Sequence, residues 1–223
     1  MAYGDGFGAM ALTSVSKKVW VALAGLGLCG FVSAHLAGNL VIFGPPDRYN
    51  EYSDFLHHSV LLLPSEVGLA ALFVVHLTLA VWVELDNRAG RDQDYAEAHW
   101  AGSRTLASYT MLYSGLIVLA FVILHVYTLR LTPHPPDALG REDVRGAVLA
   151  LFRRPGYVVW YVVAVCVLGL HLRHALQSAL RTLGFHHPPA WKYVDGLSIL
   201  FGCVIAAGYS SIPLWVCFGR PAP

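Results

Sequence analysis

Charge is what this sequence has least of. Only 13% of its 223 residues are Asp, Glu, Lys or Arg, where an ordinary soluble domain carries about 25%. The charges present nearly cancel, at +1, so no strong field toward nucleic acid or acidic partners is expected. Cysteine is also scarce. Cys29, Cys166, Cys203 and Cys217 are scattered and form no CxxC pair, which argues against an iron–sulfur or zinc site built by this chain. Acidic residues are almost missing from the apolar runs. That counts against the alternative of a non-haem transporter or metal permease using its histidines as ion ligands. A cleavable leader is not expected either. The first apolar run follows Lys17 and Lys18 and is long enough to span, so it reads as a retained helix.

What the chain has instead is long uncharged stretches. Hydrophobic residues make up 56% of it, and the mean hydropathy is +0.55. Stretches of about 20 apolar residues are membrane-helix candidates. Five occur, at about 19–43, 62–84, 106–129, 156–181 and 196–218. The expected fold is therefore all-α, a single integral membrane bundle of five transmembrane helices over residues 1–223. Pro45 and Pro46 stop the first span. The stretch 45–59 has the composition of a short surface helix, and 142–152 that of an amphipathic turn. The segment 84–104 is the most charged and must face water. Lys/Arg bias between the two sides is close to a tie. Lys17 and Lys18 favour an inside N-terminus, because the first helix usually dominates.

Histidine is the other feature. His35, His76, His125 and His171 each fall within or near the end of one of the first four spans. Polar groups in lipid are costly and mark functional sites by default. Depth sorts them. His35 and His125 lie about 16 and 19 residues into two spans running the same way, nearer the outer surface. His76 and His171 lie about 14 residues into two spans running back, nearer the inner surface. Imidazoles facing each other at matched depth are what a bis-histidine haem requires. Two pairs at two depths would make a stacked electron path. His174, one turn past His171, is an alternative ligand. Small residues such as Gly38, Gly68, Gly115 and Gly169 would give a macrocycle room. Haem propionates need cationic or hydrogen-bonding partners. Lys17, Gln177 and Arg181 stand at the inner end for that purpose, with Arg130, Arg153 and Arg154 at the outer end.

The segments KKVWVALAGLGLCGFVSAHLAGNL, YNEYSDFL, VGLAALFVVHLTLAVWVELDNR, SRTLASYTMLYSGLIVLAFVILHVYTLR and HLRHALQSALRTLGFHHP carry a resemblance. They resemble the dihaem cytochrome b membrane-anchor subunit of bacterial succinate dehydrogenase and fumarate reductase. The likeness runs from about Ser16 to Gly208. It implies two haem b groups, the distal one on His35 and His125 and the proximal one on His76 and His171. It places the ligand at the first histidine of HLRHALQSA, which favours His171 over His174. It further implies a flavoprotein subunit with FAD, an iron–sulfur subunit with its clusters, and a quinone, menaquinone being favoured. The implied location is the bacterial cytoplasmic membrane, with the N-terminus in the cytoplasm. A quinone pocket at the outer end would draw on Tyr49, Glu51, His57, His58 and Glu66. One at the inner end would draw on Ser16, Lys17, Arg104, Tyr109, Arg181 or His186 and His187. Anchors of nitrate reductase or hydrogenase often take several ligands from one helix. One histidine on each of four spans disfavours them.

Overall fold

The computed structural model describes residues 13–89, 106–185, 188–219 and 221. The charged stretch 90–105 with Arg91 and Arg104, the pair His186 and His187, and the side chains of Arg88 and Tyr109 lie outside the described residues. Seven α-helices are described: α1 Ser14–Asn39, α2 Pro46–His57, α3 Leu62–Ala89, α4 Leu106–Val126, α5 Val144–Phe152, α6 Pro155–Thr182 and α7 Pro188–Gly219. Five of them, α1, α3, α4, α6 and α7, are long and apolar enough to cross a membrane. The chain is an all-α, multi-pass membrane protein.

Several helices outrun the hydropathy boundaries, for local reasons. The first begins at Ser14, not near 19, because Thr13 caps it, its side chain accepting from the Ser16 N–H at 3.2 Å. The last begins at Pro188, well before 196. Proline is at home in a first turn, where its missing N–H has no intrahelical partner to lose. At the end of α6, Gly184 takes φ of +89°. Its N–H bonds Arg181 O at 3.0 Å, and Phe185 N–H bonds Leu180 O at 2.9 Å. That double closure needs a residue free to adopt a left-handed conformation. A five-residue π-helical turn, Tyr127–Leu131, ends α4 just after His125.

The helices alternate in direction. Lys17 at the start of α1 meets Asp86 near the end of α3, and Gln177 near the end of α6 meets Asp195 near the start of α7. These mark one end of the bundle. Glu66 of α3 meets Arg130 beyond α4 at the other, 2.7 Å apart. The central element is α6, packed on α1, α4, α5 and α7, while α3 leans on α1. The tightest approach is α6 on α7, where Gly169 and Gly202 bring the two backbones together. Small residues allow this, and close backbone approach is how membrane helices gain packing energy without a hydrophobic drive between them. The most apolar stretch of α3 has no buried residue. Its Val67, Val74, Val81 and Leu85 are exposed, as befits a helix facing hydrocarbon.

The stretches 45–59 and 142–152 do form helices, and the second differs from a surface turn. Helix α5 is capped by Asp143, which accepts from Gly146 N–H at 2.8 Å. Its Val148, Leu149 and Phe152 are buried in one core with Ile42, Tyr161 and Val216. It plugs the end of the bundle. Asn50 of α2 holds it there, donating to Asp143 at 2.9 Å and accepting from the buried Arg145 N–H at 2.9 Å. Desolvation works to raise the Asp137 carboxyl. Hydrogen bonds from the Arg141 side chain and from the Arg141 and Leu139 backbone outweigh it and hold Asp137 below the usual carboxylate range. The cap is thus a wired structure rather than a floppy link.

Candidate functional site

Each of the four histidines on the first four spans faces inward, and they gather in two groups. Toward the α2–α5 end, His35 of α1 and His125 of α4 have ring centres 5.9 Å apart, with planes crossing at 83°. Phe31 stacks on His35 at 5.3 Å, and Phe121 stacks on His125 at 5.6 Å. Tyr161 of α6 and Tyr209 of α7 flank them, at 6.1 Å from His125 and 6.2 Å from His35. Tyr209 is fixed by donating to Val32 O at 2.8 Å. Toward the other end, His76 of α3 and His171 of α6 are neighbours. His76 rests against α1, where a Cβ on Gly25 would come within 3.2 Å of its ring. His171 rests against α4, where a Cβ on Gly115 would stand 3.6 Å away.

The polar neighbours of the rings differ between the groups. His76 Nδ1 lies 3.3 Å from the carbonyl of Val21, and His171 Nδ1 lies 3.0 Å from Ser114 Oγ. At the other group, Tyr161 Oη lies 3.4 Å from His125 Nδ1. The Asn39 amide nitrogen is 3.3–3.4 Å from both ring nitrogens of His35 and donates to His35 O at 2.8 Å. Asn39 is turned that way because its oxygen accepts from Tyr49 Oη at 2.8 Å. Burial pushes the Tyr49 phenol up to about 12, so it stays a donor at ordinary pH.

The end residues have found protein partners. Lys17 is buried, 2.6 Å from Asp86 and 3.9 Å above the Trp82 ring. It would have to leave Asp86 to serve a propionate. Gln177 donates to Asp195. Arg181 lies over Trp191 at 4.1 Å, a stacking that engages the guanidinium face and leaves its N–H edge for an anion. Arg130 holds Glu66, His57 lies 3.4 Å from Glu142, and His58 lies 3.4 Å from Asp54. Arg153 reaches Pro221 O at 3.4 Å.

Do these residues fit a haem? A metal between two imidazoles, with bonds of about 2 Å and about 1 Å more to each ring centre, separates the centres by about 6 Å. The 5.9 Å between His35 and His125 fits. The donors also come in twos. Among the described residues, no three or more His, Cys, Asp or Glu gather as a metal site. Two axial imidazoles suffice only where a macrocycle supplies the other ligands. The helices that carry each pair, α1 with α4 and α3 with α6, are not among the closely packed pairs of described residues. Side chains, the histidine rings among them, fill the gap between these helices.

Sequence reading did not single out Ser114, Asn39, Tyr161, Tyr209 or Gly25, which touch the four rings. Comparison with family models, with curated proteins and with solved structures finds no match.

Proposed function

We propose that this chain is the dihaem cytochrome b subunit of a succinate:quinone oxidoreductase. It anchors a flavoprotein and an iron–sulfur subunit on the cytoplasmic face of a bacterial membrane and passes electrons between them and quinone, with menaquinone favoured. The observation that carries the reading is the gathering of four imidazoles, from four spans, into two groups at two levels of one bundle. The sequence resemblance supplies the succinate link.

In this reading His76 and His171 hold the haem nearer the Lys17 end, and His35 and His125 hold the other. A haem between two imidazoles supplies a one-electron store. Everything else falls to the protein. The imidazoles give neutral nitrogen donors and relieve their own burial by doing so. Phe31, Phe121, Tyr161 and Tyr209 keep water from the outer pair. Arg181 offers positive charge and N–H donors to propionates at the inner end, whereas Lys17 and Gln177 would first have to leave Asp86 and Asp195. Succinate itself would react at the FAD of the partner subunit, so this chain makes no bond to it.

The reading is tested by purifying the chain from its native membrane in mild detergent. Two larger subunits, one with flavin and one with iron–sulfur clusters, are expected to travel with it. Added succinate should then reduce its b-type absorbance, and fumarate should reoxidise it. A haem-bearing chain that travels with other partners and ignores succinate would overturn the succinate assignment while leaving the cytochrome.

A further inference from the structure

Ser114 has one proton and two neighbours that compete for it. Its Oγ lies 3.0 Å from Met111 O and 3.0 Å from His171 Nδ1. The Met111 carbonyl can only accept. If Ser114 donates there, its remaining lone pairs face the imidazole, and the Nδ1–H of His171 donates to them. Both contacts are then satisfied at once. If Ser114 donated to His171 instead, the approach to Met111 O would have no hydrogen in it. The first arrangement is the one a buried polar network adopts. It leaves Nε2 of His171 without a proton.

We infer that Ser114 is the positioning residue of the inner histidine pair: its hydroxyl fixes His171 with Nδ1 protonated and Nε2 bare, ready to bind a metal. The inference rests on the haem reading above and deepens it. His76 is prepared in the same way by backbone alone, since Val21 O can accept only from Nδ1–H, at 3.3 Å. Both members of this pair thus carry the proton on Nδ1 and leave Nε2 bare. A partner that accepts from the far N–H orients a ligating ring and raises its donor strength. The same feature separates His171 from His174. Among the described residues His174 has no hydrogen-bond partner. The outer pair is wired differently. There an amide donor, Asn39, faces His35. Ser114 belongs to α4, whose own histidine serves the outer pair, so one helix provides a ligand at one level and the orienting group at the other.

The test uses the full chain with its native subunits, as wild type, Ser114→Ala and Ser114→Thr. Potentiometric titration of the b-haem absorbance reads the two midpoints separately. Loss of the acceptor makes His171 a poorer donor, so Ser114→Ala is expected to favour reduced iron at one haem by about tenfold, a rise of about 59 mV for one electron. The other midpoint stays put, and Ser114→Thr, which keeps the hydroxyl, restores the wild-type value. A serine serving only packing would alter yield without moving a midpoint. Two haems with midpoints unmoved in Ser114→Ala would overturn the positioning role and spare the haem reading. A wild-type chain with no b-haem would overturn the haem reading itself.

Discussion

Replacing His171 with alanine should remove one of two haems and leave the other spectrally intact. The argument is one of ligands and neighbours. His171 is anchored by Ser114 and lies against the backbone at Gly115. An alanine there removes the ligand and leaves space where the ring was. A haem at this level would be left with His76 as its one protein ligand. The His35–His125 pair draws on α1 and α4 and shares no residue with the His76–His171 pair. His35→Ala should therefore give the complementary loss. His174→Ala should keep both haems, since that ring stands one turn away without the serine contact. Low-temperature reduced-minus-oxidised spectra and electron paramagnetic resonance of the three variants check this. Loss of a haem in His174→Ala, with His171→Ala unaffected, would reassign the ligand.

The second large effect concerns the fold. Gly169→Leu should prevent accumulation of the folded chain. A Cβ added at Gly169 would stand 2.9 Å from the Ala206 Cβ and closer still to the Gly202 carbonyl oxygen. That oxygen is backbone, not the tip of a flexible side chain, so relief requires α6 and α7 to part. Since α6 also packs on α1, α4 and α5, the parting would spread through the bundle. Overpacking by a single methyl costs about 1–3 kcal/mol. Gly169→Ala should thus lower the detergent melting temperature, and leucine should exceed what the bundle tolerates. Gly30→Ala and Gly68→Ala are the controls, because nothing lies within 4 Å of a Cβ at either position. Size-exclusion profiles after heating in detergent distinguish them. A Gly169→Leu protein as heat-stable as Gly68→Ala would contradict the packing described here.

How much of this could be read from the chain itself depends on distance along it. Apolar runs are local, so the five spans and even the short helix from Pro46 to His57 are visible in the residues. Their ends are not, because a cap such as Thr13 or a glycine such as Gly184 acts beyond the apolar stretch. The grouping of histidines follows from counting residues into antiparallel spans, and needs no knowledge of side chains. The neighbours of the rings are another matter. Ser114 and His171 are 57 positions apart, and Lys17 and Asp86 are 69 apart. No periodicity announces such a meeting. That is why Lys17 reads in the sequence as a charge awaiting an anion, when in the fold a carboxylate and the Trp82 ring already surround it. The amphipathic stretch 142–152 misleads for a related reason. Its apolar face is plain, but only the bundle shows that Leu149 and Phe152 enter the core rather than rest on lipid.

The account stands on opposed imidazoles binding porphyrin iron at two levels. A pyridine haemochrome assay on the purified wild-type chain, set against its protein concentration, tests that most directly. The prediction is two molecules of haem b per chain. A chain folded and intact yet carrying none would contradict it.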